Sequence, residues 1–439
     1  MTMKASSNIR TGRPQPPSQS PRRSALTTGV GLCVEYYDWA VYAIFAPFFA
    51  TQIFNPNDPT SAILATLAIF AVGFVARPFG GLIFGWVSDR IGRKPSMTIA
   101  VGLAALGSLA ISLTPTYAAV GVLAPILLLV ARLLQGLAHG GELPSAQTYL
   151  AEVAPRERRG LWSSIIYIAA TVGVIFGTLL GSLLTGLLTV DQMATFGWRI
   201  PFFIGAVFGL YGLFMRARMS ETEAFEGIRN KHVDAVAKPS LWTSIVEHRK
   251  QAFQVVGMTV GATIIFYVWS VNAPAHAITS LNIASGPALL AATLANIVFI
   301  AALPLWGRLS DRIGRKPVML IGLLGAAALH FPMTWIIRDA AWQLGVSMSV
   351  MLIFVAAITS ITPAVYAEMF PPHIRTVGVA VPYALCVAVF GGTAPYLQTL
   401  FSEAVGQPWM FNLYAVALLF TSAAVVRSLP ETKGKDMNQ

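Results

Sequence analysis

The chain has 439 residues, 55% apolar and only 11% charged, against roughly 25% charged in an ordinary soluble domain. With a mean hydropathy of +0.64, most of it is built for lipid rather than water, which excludes a soluble globular protein. The net charge of +11 is not gathered on a solvated basic domain with stacking aromatics, so it does not point to nucleic acid.

In chain order, residues 1–24 carry Lys4, Arg10, Arg13, Arg22 and Arg23 among Pro and Ser. They read as a disordered cytoplasmic tail rather than a cleaved leader. Apolar runs bounded by charges or Pro/Gly turns follow near 25–52, 62–87, 96–114, 120–150, 161–188 and 198–217. After a polar linker at 218–250 a second set lies near 251–275, 287–307, 317–337, 341–367, 376–401 and 406–428, then a tail at 429–439. Gln251 to Gly307 carries no Asp, Glu, Lys or Arg. That is too long for one crossing of about 20 residues, and Gly286-Pro287 supplies the break. The predicted fold is an all-α polytopic membrane protein with twelve transmembrane helices in two six-helix bundles, 25–217 and 251–428. Cys33 and Cys386 sit inside apolar runs of opposite halves, so neither a disulfide framework nor a metal-ligand spacing is expected.

Lys and Arg set the orientation. With the N-terminus in the cytoplasm, only Arg199 and Arg338 fall outside and only Arg77 and Arg132 within spans. Both termini are then cytoplasmic. The loop after the second span, Gly85-Trp-Val-Ser-Asp-Arg-Ile-Gly-Arg-Lys-Pro95, returns after the eighth as Gly307-Arg-Leu-Ser-Asp-Arg-Ile-Gly-Arg-Lys-Pro317. The two copies differ only at two positions, a duplication that predicts halves related by an internal repeat. Asp89 and Asp311, with Gly92 and Gly314 allowing a tight reversal, can meet the positive end of a helix and nearby Arg groups. Ala151-Glu152 with Arg159 is echoed by Ala367-Glu368 with Arg375, and these join the same cytoplasmic network. Ser220-Glu221-Thr222 is faintly echoed by Pro430-Glu431-Thr432.

Ionisable groups within spans are costly unless they face a cavity or each other, and here the first half holds nearly all of them. Glu35, Asp38 and Tyr42 share one helical face. Two carboxylates so spaced repel when buried, making the pair a candidate for taking up a proton; the alternative is a pair near the cytoplasmic mouth, solvated or bound to Arg residues of the next loop. Arg132, Gln135, His139 and Glu142 follow 3, 4, 3 spacing, so one face of the fourth span is polar through its depth. Arg132 and Glu142 are about 15 Å apart along the helix, so their partners are expected from Arg77 and the first-span acids. Two readings stand: a structural ion-pair lattice tying the first, second and fourth helices, or a guanidinium fork for a substrate carboxylate. His139 is either bonded to a neighbouring helix or a proton shuttle. Glu142 is the leading proton carrier, with Asp38 its rival. Asn272, Tyr267 and Trp269 could line the other side of the cavity. Gly173, Gly177 and Gly181 in the fifth span form a small-residue ridge.

The duplicated Gly-x-x-x-Asp-Arg-x-Gly-Arg-Lys loop and the Pro430-Glu-Thr-Lys-Gly434 ending resemble the signature of the major facilitator superfamily. Glu35-Tyr-Tyr-Asp38, Gly73-Phe-Val-Ala-Arg-Pro-Phe-Gly80, Arg132-Leu-Leu-Gln-Gly136, Gly140-Gly-Glu142 and Gly197-Trp-Arg-Ile-Pro201 extend the resemblance to its metabolite:proton symporter family. That family carries dicarboxylates, tricarboxylates, shikimate, aromatic acids and betaines. His139 and Leu143-Pro144 depart from its pattern. The resemblance implies that Asp89, Arg90, Gly92 and Arg93, and Asp311, Arg312, Gly314 and Arg315, form a conformational latch; its first copy is expected to weigh more because the charged groups are concentrated in the first half. The fifth span lacks the Gly-Pro pair usual in efflux antiporters, which disfavours export. The expected activity is proton-coupled import of a small organic acid, a di- or tricarboxylate or 2-oxo acid, by alternating access. The substrate is bound by Tyr42, Arg77, Arg132, Gln135 and Asn272, and the proton handled by Glu35, Asp38, His139 and Glu142. A betaine- or proline-type zwitterion is the alternative substrate. No enzymatic nucleophile, metal or cofactor other than the proton is expected, and the chain is read as a monomer in a bacterial cytoplasmic membrane.

Overall fold

A computed structural model describes residues 21–91, 93–140, 142–217, 247–371 and 374–436, with side chains for all of these except 21–28, 85, 88–89, 93–94, 142, 144–145, 153 and 215–217. Among the described residues there are helices and turns but no strand. The first three spans are Pro21–Ile53, Pro59–Ile91 and Arg93–Leu113. The fourth is two pieces, Leu123–Ala138 and Glu142–Val153. The fifth and sixth are Arg159–Leu187 and Arg199–Ala217.

In the second half the seventh span runs Arg249–Phe266, loosens into a π-helical turn at Tyr267–Asn272, and ends as Ala273–Ser280. Ser285–Ile313 and Arg315–Ile336 are the eighth and ninth. The tenth is Ala341–Thr359 continued by Thr362–Met369. The eleventh starts as Arg375–Cys386 and passes through a second π turn at Val387–Gly391, and Pro408–Ser428 is the twelfth. Ten of the spans are long and apolar enough to cross a bilayer by length and composition. Of the other two, the first is diluted by Glu35, Asp38 and three tyrosines, and the fourth is interrupted at 139–141.

The first helix is described from Pro21, so it takes in the last four residues of the expected tail, 21–24. The rest of that tail and most of the linker lie outside the described residues. Among the described residues the two halves meet where the fifth span packs on the eighth and tenth, the second on the eleventh, the first on the seventh, and the inner piece of the fourth on the tenth and eleventh. The glycine ridge of the fifth span faces the first. A Cβ at Gly173 would overlap the Cys33 carbonyl, and one at Gly177 would crowd Val41 and Ile44. This close seam keeps the first span rigidly against the fifth, and so fixes where Glu35 and Asp38 stand.

Candidate functional site

The polar side chains of the first half form one buried layer rather than a solvated mouth. Glu35, Asp38, Tyr42, Arg77, Arg132, Gln135 and His139 are all less than a tenth exposed. Arg77 Nη2 lies 3.3 Å from Glu35 Oε1, and its guanidinium stands 4.0 Å from the Trp39 ring and 4.6 Å from that of Phe74. Arg132 stacks on the same Trp39 at 4.1 Å and on Tyr42 at 4.2 Å. One indole thus carries two guanidinium groups, each held by a cation–π contact worth about 2 kcal/mol when desolvated.

From Arg132 a continuous hydrogen-bonded path runs to the first span. Its Nη1 donates to Gln135 Oε1 at 2.8 Å, and Gln135 Nε2 donates to Ser108 Oγ at 2.8 Å. Ser108 Oγ donates to Asp38 Oδ1 at 3.2 Å, and Asp38 Oδ2 is 4.0 Å from His139 Nε2. The sequence expectation that Arg132 finds an acidic partner is corrected: among the described residues no carboxylate lies within ion-pair distance of it. The faces of Trp39 and Tyr42 and the neutral amide of Gln135 take that place, with Gln135 and Ser108 standing between Arg132 and Asp38. The Nε and Nη2 of Arg132 are buried without a hydrogen-bond partner. Tyr42 donates to the Thr66 carbonyl at 3.0 Å. The side chain of Glu142, the expected leading proton carrier, lies outside the described residues.

Two small cavities mark where the halves face each other over this layer. One lies between Arg77, His139 and Leu143 of the first half and Tyr383, Ala384 and Val387 of the eleventh span. The other is enclosed by Tyr36 and Tyr167 on one side and Phe266, Tyr267, Tyr366 and Tyr383 on the other, with Thr259, Thr263, Thr359 and Thr362 completing it. Each holds about 20 Å³, room for little more than a water molecule. The halves are closed over the centre. Tyr383 belongs to both cavities, one face to the arginine layer and one to the tyrosine cage.

Sequence reasoning missed Trp39, Ser108 and most of the cage. Singly, a tyrosine or serine in an apolar run carries no signal, and only the meeting of spans from both halves makes them a site. Asn272 is not with the arginines. It donates to Gln398 Oε1 at 2.9 Å, tying the seventh span to the eleventh within the second half. Tyr267 does line the cage.

At the end of the bundle bearing the duplicated loops, Asp311 reaches across the halves. It accepts from the Gly160 and Leu161 backbone N–H groups at 2.9 and 3.0 Å, the first turn of the fifth span, and from Arg315 Nη1 at 2.7 Å. Gly160 and Gly307 approach so closely that a Cβ on either would lie 2.7 Å from the other's carbonyl oxygen. The Glu/Arg pairs cross over between halves. Arg375 Nη1 meets Glu152 Oε1 at 2.7 Å, and Arg159 Nη1 and Arg315 Nη2 lie 3.7 and 3.6 Å from Glu368 Oε1.

The side chains of Asp89 and Arg93, and Gly92 as a whole, lie outside the described residues. Arg90 turns onto Trp86 of its own helix, 4.2 Å from the ring, a neighbour one helical turn away, and not toward the other half. Arg312 contributes its carbonyl, which accepts from Lys433 Nζ at 2.6 Å. Gly314, at φ 111, makes the reversal that presents the Arg315 and Lys316 N–H groups to Glu431 at 2.8 and 3.1 Å.

The expected tail is therefore a strap. Thr432 Oγ1 donates to Glu368 Oε2 at 2.7 Å, while the Gly434 and Lys435 carbonyls accept from Arg156 and Arg159 of the first half at 2.6 and 2.7 Å.

A sequence profile described as Major Facilitator Superfamily matches residues 28–291, and one described as Sugar (and other) transporter matches residues 237–439. The chain is 34% identical over 409 residues to the alpha-ketoglutarate permease of Escherichia coli (strain K12), covering 93% of each protein. It is 30% identical over 426 residues to a putative proline/betaine transporter of Staphylococcus aureus (strain COL), covering 95% of this chain and 90% of that one. Among solved structures it superposes on a proton:xylose symporter bound to 6-bromo-6-deoxy-D-glucose with a TM-score of 0.75 at 19% identity, over 95% of this chain and 98% of the other, a likeness of fold.

Proposed function

The chain belongs to the major facilitator superfamily, and we propose that it is a proton-coupled symporter importing a small organic acid, a dicarboxylate or 2-oxo acid, by alternating access. The observation that carries this reading is the buried Glu35–Arg77 pair, placed where Tyr383 of the opposite half closes over Arg77. While Glu35 is ionised it occupies the guanidinium. A proton on Glu35 removes the charge that holds Arg77, whose planar fork then accepts a substrate carboxylate in its place. The unpartnered edge of Arg132 supplies a second such fork, so two guanidinium groups serve an acid with two anionic ends.

Closure then requires a neutral set: protonated acid, arginine and bound carboxylate. This links proton and substrate as a reciprocal coupling of binding free energies. Asp38 with His139 is a second proton-bearing pair, joined to Arg132 through Ser108 and Gln135. The relative named for alpha-ketoglutarate supports an acid. The tyrosine cage supports the second reading, a quaternary ammonium zwitterion held by cation–π contacts, with which the proline/betaine relatives agree. The distribution of Lys and Arg supports both termini in the cytoplasm of a bacterial inner membrane, and each half-pair closes within one chain, which supports a monomer.

The test is uptake of labelled alpha-ketoglutarate into proteoliposomes under an inward proton gradient, with unlabelled acids and betaines as competitors. Uptake abolished by an uncoupler and competed by diacids supports the reading. Uptake that follows sodium and ignores pH overturns proton coupling, and uptake of betaine but not of acids selects the second reading. Glu35→Gln, which stands permanently in for the protonated acid, is expected to exchange substrate across the membrane yet fail to accumulate it.

A further inference from the structure

A cavity of about 350 Å³ lies not between the halves but inside the second one, at the end of the bundle opposite the latch. It is walled by the outer ends of the seventh, ninth, eleventh and twelfth spans, with Leu344 of the tenth. No residue of the first half lines it, so it is separate from the central site. Its volume falls in the range of small-molecule pockets and corresponds to about a dozen water-sized positions.

Three indoles shape it: Trp269 is the buried inner wall, 2% exposed, while Trp335 and Trp409 form the rim at 68% and 49%. No Asp, Glu, Lys or Arg lines it, which argues against an ionic occupant. Five polar side chains lie among these aromatic walls, His276, Thr334, Gln398, Ser402 and Asn412, and Asn412 Nδ2 donates to Thr334 Oγ1 at 3.2 Å. His276 Nδ1 is buried with no hydrogen-bond partner, and Gln398 engages its carbonyl oxygen with Asn272, leaving its amide NH₂. Trp269 is fixed in orientation because its Nε1 donates to His330 Nδ1 at 3.2 Å, so its face is presented as a preformed surface.

We propose that this cavity is a second ligand site, for a neutral flat aromatic molecule of about ten non-hydrogen atoms that stacks on the indoles and hydrogen-bonds His276 Nδ1 along one edge. The wall nearest the first half is the Ala273–Ser280 segment, which packs on the first span and continues inward to Tyr267 of the central cage. An occupant therefore braces the seventh span in the arrangement seen here and favours the closed latch, as any ligand favours the state that holds its site.

The probe is indole. With tritiated indole and the protein in lipid nanodiscs, after subtraction of empty nanodiscs, one saturable site per chain is expected. 1-Methylindole, which lacks the N–H, should bind about tenfold more weakly, the size of one hydrogen bond near 1.4 kcal/mol. Ser402→Trp, which fills the cavity from its wall, should abolish the site. Trp409→Ala, on the exposed rim, should weaken it without a change in melting temperature. Tyr383→Phe, in the central cavity, should leave it unchanged. Binding that is only non-saturable partitioning, that survives Ser402→Trp, or that is lost in Tyr383→Phe would overturn the proposal. Indole is also expected to slow maleimide alkylation of Ala151→Cys in a background with Cys33 and Cys386 replaced by Ser, since Ala151 lies buried against Ala367 between the halves at the latch; an unchanged rate would overturn the bracing.

Discussion

Replacing Asp311 by Asn tests whether the inter-half bonds at the duplicated loop hold the closed state. The carboxylate accepts two backbone N–H groups of the fifth span and one guanidinium N–H. Hydrogen bonds to a charged group are worth about 1.5–3 kcal/mol each. Asn keeps one acceptor oxygen, so it retains one of the two backbone bonds and turns an NH₂ toward the other donor; Arg315 retains Glu368. The net loss to the closed arrangement is about 2 kcal/mol, which shifts the open-to-closed ratio by about 30-fold. Ala151, fully buried against Ala367 of the other half, reports this opening. In a background with Cys33 and Cys386 replaced by Ser, Ala151→Cys should be alkylated by N-ethylmaleimide about 30-fold faster when Asp311→Asn is added. Equal rates in protein of equal melting temperature would refute the latch role drawn from this geometry. The sequence expects the first copy, at Asp89, to weigh more; of the two aspartates only the Asp311 side chain is among the described residues, and the same alkylation assay on Asp89→Asn, read beside Asp311→Asn, tests that expectation.

Arg132→Lys keeps the charge but loses the stacked plane on Trp39 and Tyr42, so KM for an acid substrate should rise about tenfold; an unchanged KM in normally folded protein would return Arg132 to a purely structural lattice. Ser108→Ala strands Gln135 Nε2 and Asp38 Oδ1 in the interior, at about 1–3 kcal/mol, and should lower the melting temperature; no change would show that the path through Ser108 is not a supporting one. Glu431→Gln removes the charge that receives the Arg315 and Lys316 N–H groups, and alkylation at position 151 should accelerate, though less than for Asp311→Asn because the Gly434 and Lys435 carbonyls keep their arginines. A rate equal to the parent would mean that the strap is a passenger.

What could be read from the residues follows from how strongly each feature is constrained locally. Lipid demands long charge-free helices, so the twelve spans and their turns stand out in the sequence, and a duplicated loop is visible as text. The acids and arginines of the first half stand out for the same reason, since an ionisable group in an apolar run is an anomaly wherever it lies. Partner choice is a different matter. Glu152 and Arg159 are near in sequence, as are Glu368 and Arg375, yet each arginine meets the acid of the opposite half, because the internal repeat faces like loops toward each other. Nor does spacing along the fourth span reveal that Trp39 separates two guanidinium groups, or that Pro430 to Lys435 lies across both halves. These are properties of the meeting of helices, to which a single helix period is blind.

The unequal division of polar chemistry between the halves has a mechanical consequence. In the proposed cycle the first half carries the charges that exchange a proton and an anionic ligand, whereas the second offers phenols, threonine hydroxyls and, among its three π-helical turns, the two at Tyr267–Asn272 and Val387–Gly391, beside the residues that cover them. A π turn leaves a helix locally under-bonded and able to change its winding, and both turns sit at the two spans whose tyrosines, Tyr267 and Tyr383, close the central cavities. A change of charge in the first half is therefore met by elements that move at low cost. Had ionisable groups been placed on both sides, neutralising one would leave the other unpaired in the interior, with a penalty of several kcal/mol in every cycle. Under the proposed symport, keeping the charge on one face and the hinge on the other would let a single proton decide whether Tyr383 rests on an occupied or a released Arg77, and so whether the halves close.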